Sequence, residues 1–307
     1  MKNEDDAPEG SRAEWLTDRA LRALLWGLKK MPYDRRVPMM GRALRRAIGP
    51  LAGFRRRIDT NLQLIKPDMS ASDRHILAGD VLDNFGRTLI ENYSQRDLAA
   101  RLKNTPLQGA GVSPLAEASK DGRPVVFVTG HFGNHEAPRH VLSQAGYTVG
   151  GLFRPMRNAF VNDHYAQTMT SWGGPVFSQG RRGTIGFARH LAKGGMGTLL
   201  FDVHTVSGVP IAFLGQTALT ATSAAELALK LDALMIPYFG VRRPDGLSFD
   251  IHVEQPIAQS DAVTMTGDAT ARLEARIAQN PGQWFWIHRR WKAGGVNPVE
   301  RPPEQDR

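Results

Sequence analysis

From about Pro124 onward the chain alternates short apolar runs with stretches of helical periodicity, and this alternation constrains the fold more than any other feature. The apolar runs are PVVFVTG at 124–130, TVGGLF at 148–153, GTLLF at 197–201, MIPYFGV at 235–241 and SFDIHV at 248–253. Helical stretches follow at 183–192, 223–234 and 262–279. Strands alternating with helices predict an α/β fold with a mixed, largely parallel central sheet flanked by helices. The turn-like RRPDG at 242–246 predicts an antiparallel hairpin for the last two strands.

The N-terminal part has a different pattern, with an amphipathic helix predicted at 15–28 and another helix at 72–93. Between Asp34 and Asp59 lie eight arginines and no acid: Arg35, Arg36, Arg42, Arg45, Arg46, Arg55, Arg56 and Arg57. A basic segment beside a tryptophan-bearing amphipathic helix is typical of an element lying on an anionic membrane surface. An ordinary amphipathic helix packed on the domain, with solvated arginines, explains the same pattern.

Charge and composition narrow the classes of partner and chemistry. The chain of 307 residues carries 39 Lys and Arg against 30 Asp and Glu, a net charge of +9, which favours nucleic acid, anionic lipid or a phosphorylated substrate. It has no cysteine, which excludes thiol nucleophiles, disulfides and cysteine-based metal sites. No apolar run approaches the roughly 18 residues of a transmembrane helix, and the acidic start is unlike a secretory signal.

The strongest local signal is the segment GHFGNHE at 130–136, directly after the first apolar run. In open α/β sheets, active groups collect at the carboxyl ends of strands, where this segment is expected to lie. His131 would sit on the loop and Glu136 in the first turn of the next helix. A carboxylate on one ring nitrogen fixes the tautomer of an imidazole and makes the other nitrogen a better base. We therefore predict a base dyad of His131 and Glu136.

Other chemistries find less support in the sequence. His131, His135, Glu136 and His140 are crowded enough to suggest metal ligands, but the His-Glu-x-x-His spacing is absent, so no metal site and no cofactor is predicted. Nor does the sequence contain a Gly-x-Ser-x-Gly elbow, a phosphate-binding P-loop or a Gly-x-Gly-x-x-Gly fingerprint. These absences disfavour a serine hydrolase, a P-loop phosphotransferase and a Rossmann oxidoreductase.

Five segments together resemble the late acyltransferases of lipid A biosynthesis, the lauroyl and myristoyl transferase family of the lysophospholipid-acyltransferase-like superfamily. They are GHFGNHE, FRPMRN at 153–158, the strand ending in Asp202, VPIAFLGQTALTAT at 209–222 and NPGQWFWIHRRWK at 280–292. The resemblance spans roughly residues 60 to 292 and implies a glycerolipid acyltransferase-like fold. It also implies transfer of a fatty acyl chain from acyl carrier protein to a hydroxyl of a lipid A precursor.

The resemblance assigns roles to particular residues. His131 would deprotonate the 3-hydroxyl of an acyl chain already on the disaccharide, with Glu136 orienting it. Arg154 would contact phosphate or the oxyanion, and Asp202 would orient Arg154 or another basic group. The remaining residues implied to bind substrate are Asn134, Arg289, Arg290 and Lys292. The sequence Asp-Val-His at 202–204 departs from the family pattern, so His204 is left out of this set.

The family also implies partners, location and domains. Acyl carrier protein is the expected donor, an anionic lipid A precursor the acceptor, and the cytoplasmic face of the bacterial inner membrane the place of action. Because Arg19 and Arg22 interrupt the apolar run at 15–28, we predict a peripheral, in-plane helix. The expected regions are 1–58, a polar tail with the membrane-associating segment, 59–292, the catalytic domain, and 293–307, a polar tail.

Three alternatives remain open. An acyltransferase of the same fold could act on another glycolipid or a lysophospholipid, with acyl-CoA as donor. A membrane-surface protein could keep the fold without catalysis. A nucleic-acid-binding protein would also explain the charge, but the sequence offers no groove-reading element and such a protein has no use for a base dyad, so no nucleic-acid partner is expected.

Overall fold

The computed structural model describes residues 9–170 and 174–292. Its α-helices are α1 (Arg12–Lys29), α2 (Tyr33–Ala43), α3 (Gly49–Leu51), α4 (Phe54–Ile65), α5 (Ala71–Asn92), α6 (Gln95–Leu102), α7 (Val112–Lys120), α8 (Ala137–Gln144), α9 (Ala159–Thr170), α10 (Arg181–Ala192), α11 (Ser223–Lys230) and α12 (Ala262–Gln279). Its strands are β1 (Leu107–Gln108), β2 (Val125–Thr129), β3 (Val149–Phe153), β4 (Val176–Ser178), β5 (Met196–Leu200), β6 (Val209–Phe213), β7 (Gln216–Thr220), β8 (Leu234–Arg242) and β9 (Phe249–Val253). A π-helical turn, Leu44–Ile48, joins α2 to α3.

A seven-stranded sheet forms the centre, with strand order β1-β9-β8-β2-β5-β3-β4. Neighbouring strands run parallel except for β8 and β9, which form the predicted antiparallel hairpin. All five strands expected from the apolar runs belong to this sheet, so the prediction of a mixed, largely parallel sheet flanked by helices is confirmed.

Strand β2 shows why this segment of sequence becomes the middle of the sheet. It consists of β-branched and aromatic residues, and every one of its side chains is buried. Val126 and Val128 pack into the core that contains α5, α11 and α12 residues, whereas Val125 and Phe127 face the opposite core with Leu115 of α7. Burial on both faces explains the unbroken apolar run, because alternation of polar and apolar residues appears only where one face meets water.

The N-terminal helices pack onto this core. Ser11 and Glu14 form a capping box at the start of α1, which lies against α2 and α9. Helices α2 and α4 pack on α5, and the predicted boundary between residues 58 and 59 falls inside α4. Within residues 9–170 and 174–292, no helix is both long enough and apolar enough to cross a bilayer. The predicted C-terminal tail at 293–307 lies outside the described residues.

Two elements differ from the sequence-based expectation. Helix α11 ends at Lys230 rather than continuing to residue 234, because Asp232 adopts a left-handed conformation with φ of 49° and β8 begins at Leu234. Residues 209–220 form a separate two-stranded antiparallel hairpin of β6 and β7. Leu214 and Gly215 at its tip have φ of 51° and 79°, which matches the right-handed twist of the paired strands.

Candidate active site

The candidate site forms where two adjacent central strands end. His131 lies two residues beyond β2 and Asp202 lies two residues beyond β5, and since these strands are parallel neighbours, both residues reach the same edge of the sheet. Gly130 makes their approach possible, because a Cβ atom there would lie 3.0 Å from Asp202 Oδ2 and 2.7 Å from Leu273. A larger residue at position 130 would therefore push the carboxylate away from His131.

Asp202 holds His131 at two points. One carboxylate oxygen, Oδ1, is 2.8 Å from the ring nitrogen Nδ1, and Oδ2 accepts a 2.8 Å hydrogen bond from the His131 backbone N–H. The indole N–H of Trp284 donates a 2.9 Å hydrogen bond to the same Oδ2. With Nδ1–H directed at the carboxylate, the lone pair of the neutral imidazole is on Nε2. Among the described residues no hydrogen bond reaches Nε2, and the His131 side chain is 30% exposed, so this nitrogen is available to a substrate.

The electrostatics of the pair favour an imidazole of raised basicity. Burial lowers the pKa of His131, but the charge and hydrogen bond of Asp202, together with the charge of Glu136, outweigh it and raise this pKa above its ordinary value. Burial raises the pKa of Asp202, yet His131 and the hydrogen bonds it donates hold that pKa well below its usual range. Asp202 therefore remains a carboxylate, which is the state that stabilises a protonated His131.

Two further imidazoles lie beside His131, but their pKa values are lowered rather than raised. The ring centroids of His135 and His288 are 5.3 Å and 5.1 Å from that of His131. Burial, followed by repulsion from His131, lowers the pKa of both His135 and His288 to about 4. Of these three imidazoles, only His131 combines a raised pKa with a nitrogen open to substrate.

Glu136, expected to contact the imidazole, occupies a different position. Its Oε1 lies 4.0 Å from His135 Nε2 and its Oε2 lies 3.7 Å from a guanidinium nitrogen of Arg139. None of the hydrogen bonds described for Glu136 reaches His131, and the atom that meets the ring is an oxygen of Asp202. Glu136 acts on His131 through its charge, which raises the pKa of the imidazole.

Asn134 is fully buried and braces the loop that carries His131. Its amide nitrogen donates a 2.9 Å hydrogen bond to Glu91, and its oxygen accepts one of 3.0 Å from the Glu136 backbone. Glu91 in turn forms a buried ion pair with Arg242. Gly133 adopts a φ of 55°, and a Cβ there would lie 1.9 Å from a backbone oxygen of β8, so only glycine fits. These contacts explain the role of Asn134 in the loop and leave its substrate-binding role a prediction.

Arg154 and Asp202 are not paired in the structure. Arg154 follows the last residue of β3 and is exposed, at the same edge of the sheet as Asp202 because β3 is parallel to β5. The carboxylate of Asp202 is engaged by His131 and Trp284 instead. The guanidinium of Arg154 is thus exposed at the end of β3. Its contact with phosphate or an oxyanion remains a prediction.

The three basic residues at the end of the segment 280–292 differ in exposure: Arg290 is buried, whereas Arg289 and Lys292 are exposed. Arg290 is 1% exposed, donates a 2.7 Å hydrogen bond to the Leu219 carbonyl and lies 5.3 Å above the Phe213 ring. Burial lowers the pKa of Arg290 to about 10. These contacts tie it to the β6–β7 hairpin, whereas Arg289 and Lys292 are exposed. Only the latter two present open cations to a ligand.

Trp284 is the site residue whose role the sequence did not suggest. Trp284 and Trp286 are both buried in the core. Phe132 and Trp284 form a β-bridge, and Phe285 donates a 2.9 Å backbone hydrogen bond to the His131 carbonyl. The segment 280–292 thus packs against the loop that carries His131. In the sequence, the high density of tryptophans in this segment was the feature that could have pointed to a role in the site.

Within the described part of the chain, no three His, Asp or Glu side chains come together in a way that could hold a metal ion. The arrangement of His131, Asp202 and Trp284 is suited to removing a proton from a substrate without forming a covalent intermediate. It contains a base and an orienting carboxylate, and no serine or threonine of the described residues bonds to the free ring nitrogen.

Comparison with known proteins decides the family. The family model described as bacterial lipid A biosynthesis acyltransferase matches residues 11–293. The chain belongs to this family of acyltransferases. Lipid A biosynthesis acyltransferase 2 of Shigella flexneri is 24% identical over 300 residues, covering 94% of this chain and 93% of the relative. Lipid A biosynthesis lauroyltransferase of Escherichia coli is 25% identical over 292 residues, covering 91% and 92%. Lipid A biosynthesis acyltransferase of Haemophilus influenzae is 25% identical over 258 residues, covering 79% and 78%.

The match confirms the resemblance drawn from the five sequence segments and the expectation of an acyltransferase. The matched range includes all of the residues that build the candidate site described above, from His131 to Trp284. It also includes α1 and the arginine-rich helices, so the N-terminal region belongs to the family as much as the sheet does.

Proposed function

We propose that this protein transfers a fatty acyl chain from acyl carrier protein to a hydroxyl of a lipid A precursor, with His131 as general base. The observation that carries the proposal is the contact of Asp202 with Nδ1 of His131, which leaves the lone pair of Nε2 for a substrate hydroxyl. The family match supports lipid A as the acceptor.

In the proposed reaction, Nε2 of His131 takes the proton of the acceptor hydroxyl, and the oxygen of that hydroxyl attacks the carbonyl carbon of the acyl thioester. The carbon–sulfur bond of the resulting tetrahedral intermediate then breaks, and the departing thiolate takes up the proton from the imidazolium. Asp202 stabilises that imidazolium and fixes its orientation, as its carboxylate bonds to both the ring and the backbone of His131. Glu136 adds a second negative charge nearby.

Several side chains are proposed to bind the two substrates. Arg154, which follows β3 at the same edge of the sheet as Asp202, would stabilise the oxyanion or contact a phosphate. Arg289 and Lys292 would contact anionic groups of the acceptor, because they are exposed cations. Asn134 and Arg290 would contribute indirectly, by fixing the His131 loop and the β6–β7 hairpin.

We further propose that α1 lies on the membrane surface without crossing it. Trp15 and Trp26 are 46% and 68% exposed, and eleven positions along a helix return to nearly the same face. A cation stacks on each ring, Arg19 at 5.5 Å and Lys30 at 5.0 Å, as expected for an interfacial helix on anionic lipid. This placement would bring the protein to a lipid acceptor at the cytoplasmic face of the inner membrane.

The test of the reaction is an assay of purified protein with acyl carrier proteins bearing different acyl chains and a lipid A precursor, followed by mass spectrometry. We expect a gain of one acyl mass, lost in His131→Ala and retained in His75→Ala, whose imidazole is exposed on α5. Transfer only to a lysophospholipid or another glycolipid, or only from acyl-CoA, would overturn the proposed substrates. Full transfer by His131→Ala would overturn the mechanism.

The test of membrane placement is sedimentation with vesicles that contain anionic phospholipid. Trp15→Ser and Trp26→Ser together should weaken binding, because both side chains are expected to enter the interface. Leu229→Ser is the control, since Leu229 is an apolar side chain that is 36% exposed on a different helix, α11. Equal binding by the double variant and the control would contradict the placement.

A further inference from the structure

A groove of about 540 Å³ opens between the start of α4 and the segment 289–292. Arg56 and Arg57 form one wall, Arg289 and Lys292 form the other, and Trp291 adds an aromatic surface. Two cations therefore face two others across a space large enough for more than a single ion.

Among the residues that the structure describes, no carboxylate lies in this groove to balance its positive charge. Within residues 9–170 and 174–292, none of these four cations takes part in an ion pair, and Asp59, which follows on the same helix, is held by Arg74 at 2.8 Å. Four unpaired cations around one cavity repel one another, so the arrangement is suited to an anionic ligand.

The groove adjoins the candidate active site. Asn61, in its lining, donates 2.7 Å hydrogen bonds to the carbonyls of Trp286 and His288 and so fastens α4 to the segment that carries His288. The His288 ring lies 5.1 Å from the His131 ring. A ligand in the groove would therefore have its neighbouring atoms close to the proposed base.

From this geometry we infer that the groove binds a phosphate monoester on a sugar of the acceptor, an inference that rests on the proposed function. Guanidinium groups hold two phosphate oxygens at once, and a monoester carries more charge than the single charge of a phosphodiester, which suits four cations better. A sugar would fill the volume left beside the phosphate and pack on the Trp291 ring. The alternative phosphate source is the phosphodiester of the acyl carrier protein's prosthetic group.

The kinetic test uses the double variant Arg56→Gln with Lys292→Gln, one cation from each wall. Its matched control is Lys120→Gln with Lys193→Gln, which removes the same charge from exposed positions at the opposite edge of the sheet, just before β2 and β5. The groove variant should raise KM for the acceptor at least about tenfold, with kcat and the KM for the donor unchanged within about twofold. With an acceptor from which a phosphatase has removed the phosphate, the two double variants should perform alike.

Three kinetic results would overturn the inference. They are an unchanged acceptor KM, an increase that persists with the dephosphorylated acceptor, and an increase in the KM for the donor alone, which would assign the groove to the donor's phosphodiester. Matching melting temperatures of both double variants and the wild type would show that the substituted proteins fold normally.

A binding test separates this inference from the proposed function. Binding of the phosphorylated and dephosphorylated lipid, in detergent micelles, is measured with His131→Ala, alone and combined with the groove substitutions. A preference for the phosphorylated lipid that the groove substitutions abolish supports the inference even if the wild type transfers no acyl chain. Acyl transfer by a wild type that binds both lipids equally overturns the inference and leaves the proposed function standing.

Discussion

Replacing Asp202 by asparagine removes one negative charge while keeping the size of the side chain. In the structure its two oxygens accept three hydrogen bonds, from the ring and backbone of His131 and from Trp284. Asparagine has one oxygen and an NH₂ group in their place. If the asparagine oxygen keeps the bonds to Trp284 and to the His131 backbone, its NH₂ group faces Nδ1. Because NH₂ is a donor, Nδ1 must then be an acceptor, and the ring proton moves to Nε2. Nε2 is the nitrogen whose lone pair must be free to act as the base.

The expected loss is large. A hydrogen bond to a charged partner contributes about 1.5–3 kcal/mol, and each 1.36 kcal/mol corresponds to a factor of ten in rate, which alone gives about 10- to 100-fold. The wrong tautomer adds to this, and a general base as a whole contributes about 10²- to 10⁴-fold, so we expect kcat to fall by about 10²-fold or more. The sign of the pH effect is also fixed. Because Asp202 raises the pKa of His131, its neutralisation should lower that pKa and move the acidic limb of the pH–rate profile to lower pH.

The assay is steady-state acyl transfer across a pH series, together with ¹⁵N NMR of the His131 ring to determine its tautomer. Asp121→Asn is the matched control, since Asp121 is exposed at the end of α7 on the opposite edge of the sheet. A kcat for Asp202→Asn within threefold of the wild type, or an imidazole that still has its proton on Nδ1 and an unmoved acidic limb, would refute the role given to this carboxylate.

Three other substitutions test the surroundings of the site. Glu136→Gln should move the acidic limb of the pH–rate profile to lower pH with a smaller fall in kcat, because this carboxylate raises the pKa of His131 by charge without a hydrogen bond. Glu91→Gln should lower the free energy of unfolding, measured with denaturant, by about 3–5 kcal/mol, since it leaves the buried Arg242 guanidinium without its charge partner. Trp284→Phe should lower kcat by about 3- to 10-fold with little change in KM, because it removes one neutral donor from the orienting carboxylate, a bond that contributes about 0.5–1.5 kcal/mol.

Glu117→Gln serves as the control for both glutamate substitutions, because Glu117 is exposed on α7. It should change neither the pH–rate profile nor the free energy of unfolding. A larger loss of kcat in Glu136→Gln than in Asp202→Asn would contradict the division of roles between the two carboxylates. A Glu91→Gln variant as stable as the control would show that the Arg242 guanidinium finds another partner.

The fold was predictable where the apolar pattern was strong, and the misses have physical causes. Strand β2 is buried on both faces, so its sequence is apolar throughout and its type is clear. The end of α11 was misplaced because the apolar residues of the helix continue into those of β8 without a glycine or proline between them. The β6–β7 hairpin was missed because its tip, Leu214 and Gly215, lacks the Asn-Gly or Asp-Gly pair that usually marks such a turn.

The partner of His131 could not be chosen from sequence spacing alone. Glu136 is five residues away, whereas Asp202 is 71 residues away and becomes a neighbour only because β5 pairs with β2 although β3 comes between them in the chain. The sequence does place both His131 and Asp202 just after apolar runs, so their common edge of the sheet was predictable. The strand order that brings them into contact was not, since a parallel sheet of these strands allows several orders.

The local backbone explains why the carboxylate that is nearer in sequence does not contact the ring. The left-handed Gly133 turns the chain after His131, and Asn134 then fixes that turn by bonding to Glu91 and to the Glu136 backbone. Glu136 is thereby held at the start of α8, next to His135 and Arg139. Asp202 consequently orients the imidazole by contact, while Glu136 raises the pKa of the imidazole from a distance. Loss of the Asp202 carboxylate should therefore disturb both the geometry and the charge of the site. Loss of the Glu136 carboxylate should shift the pH–rate profile and leave the tautomer of His131 unchanged.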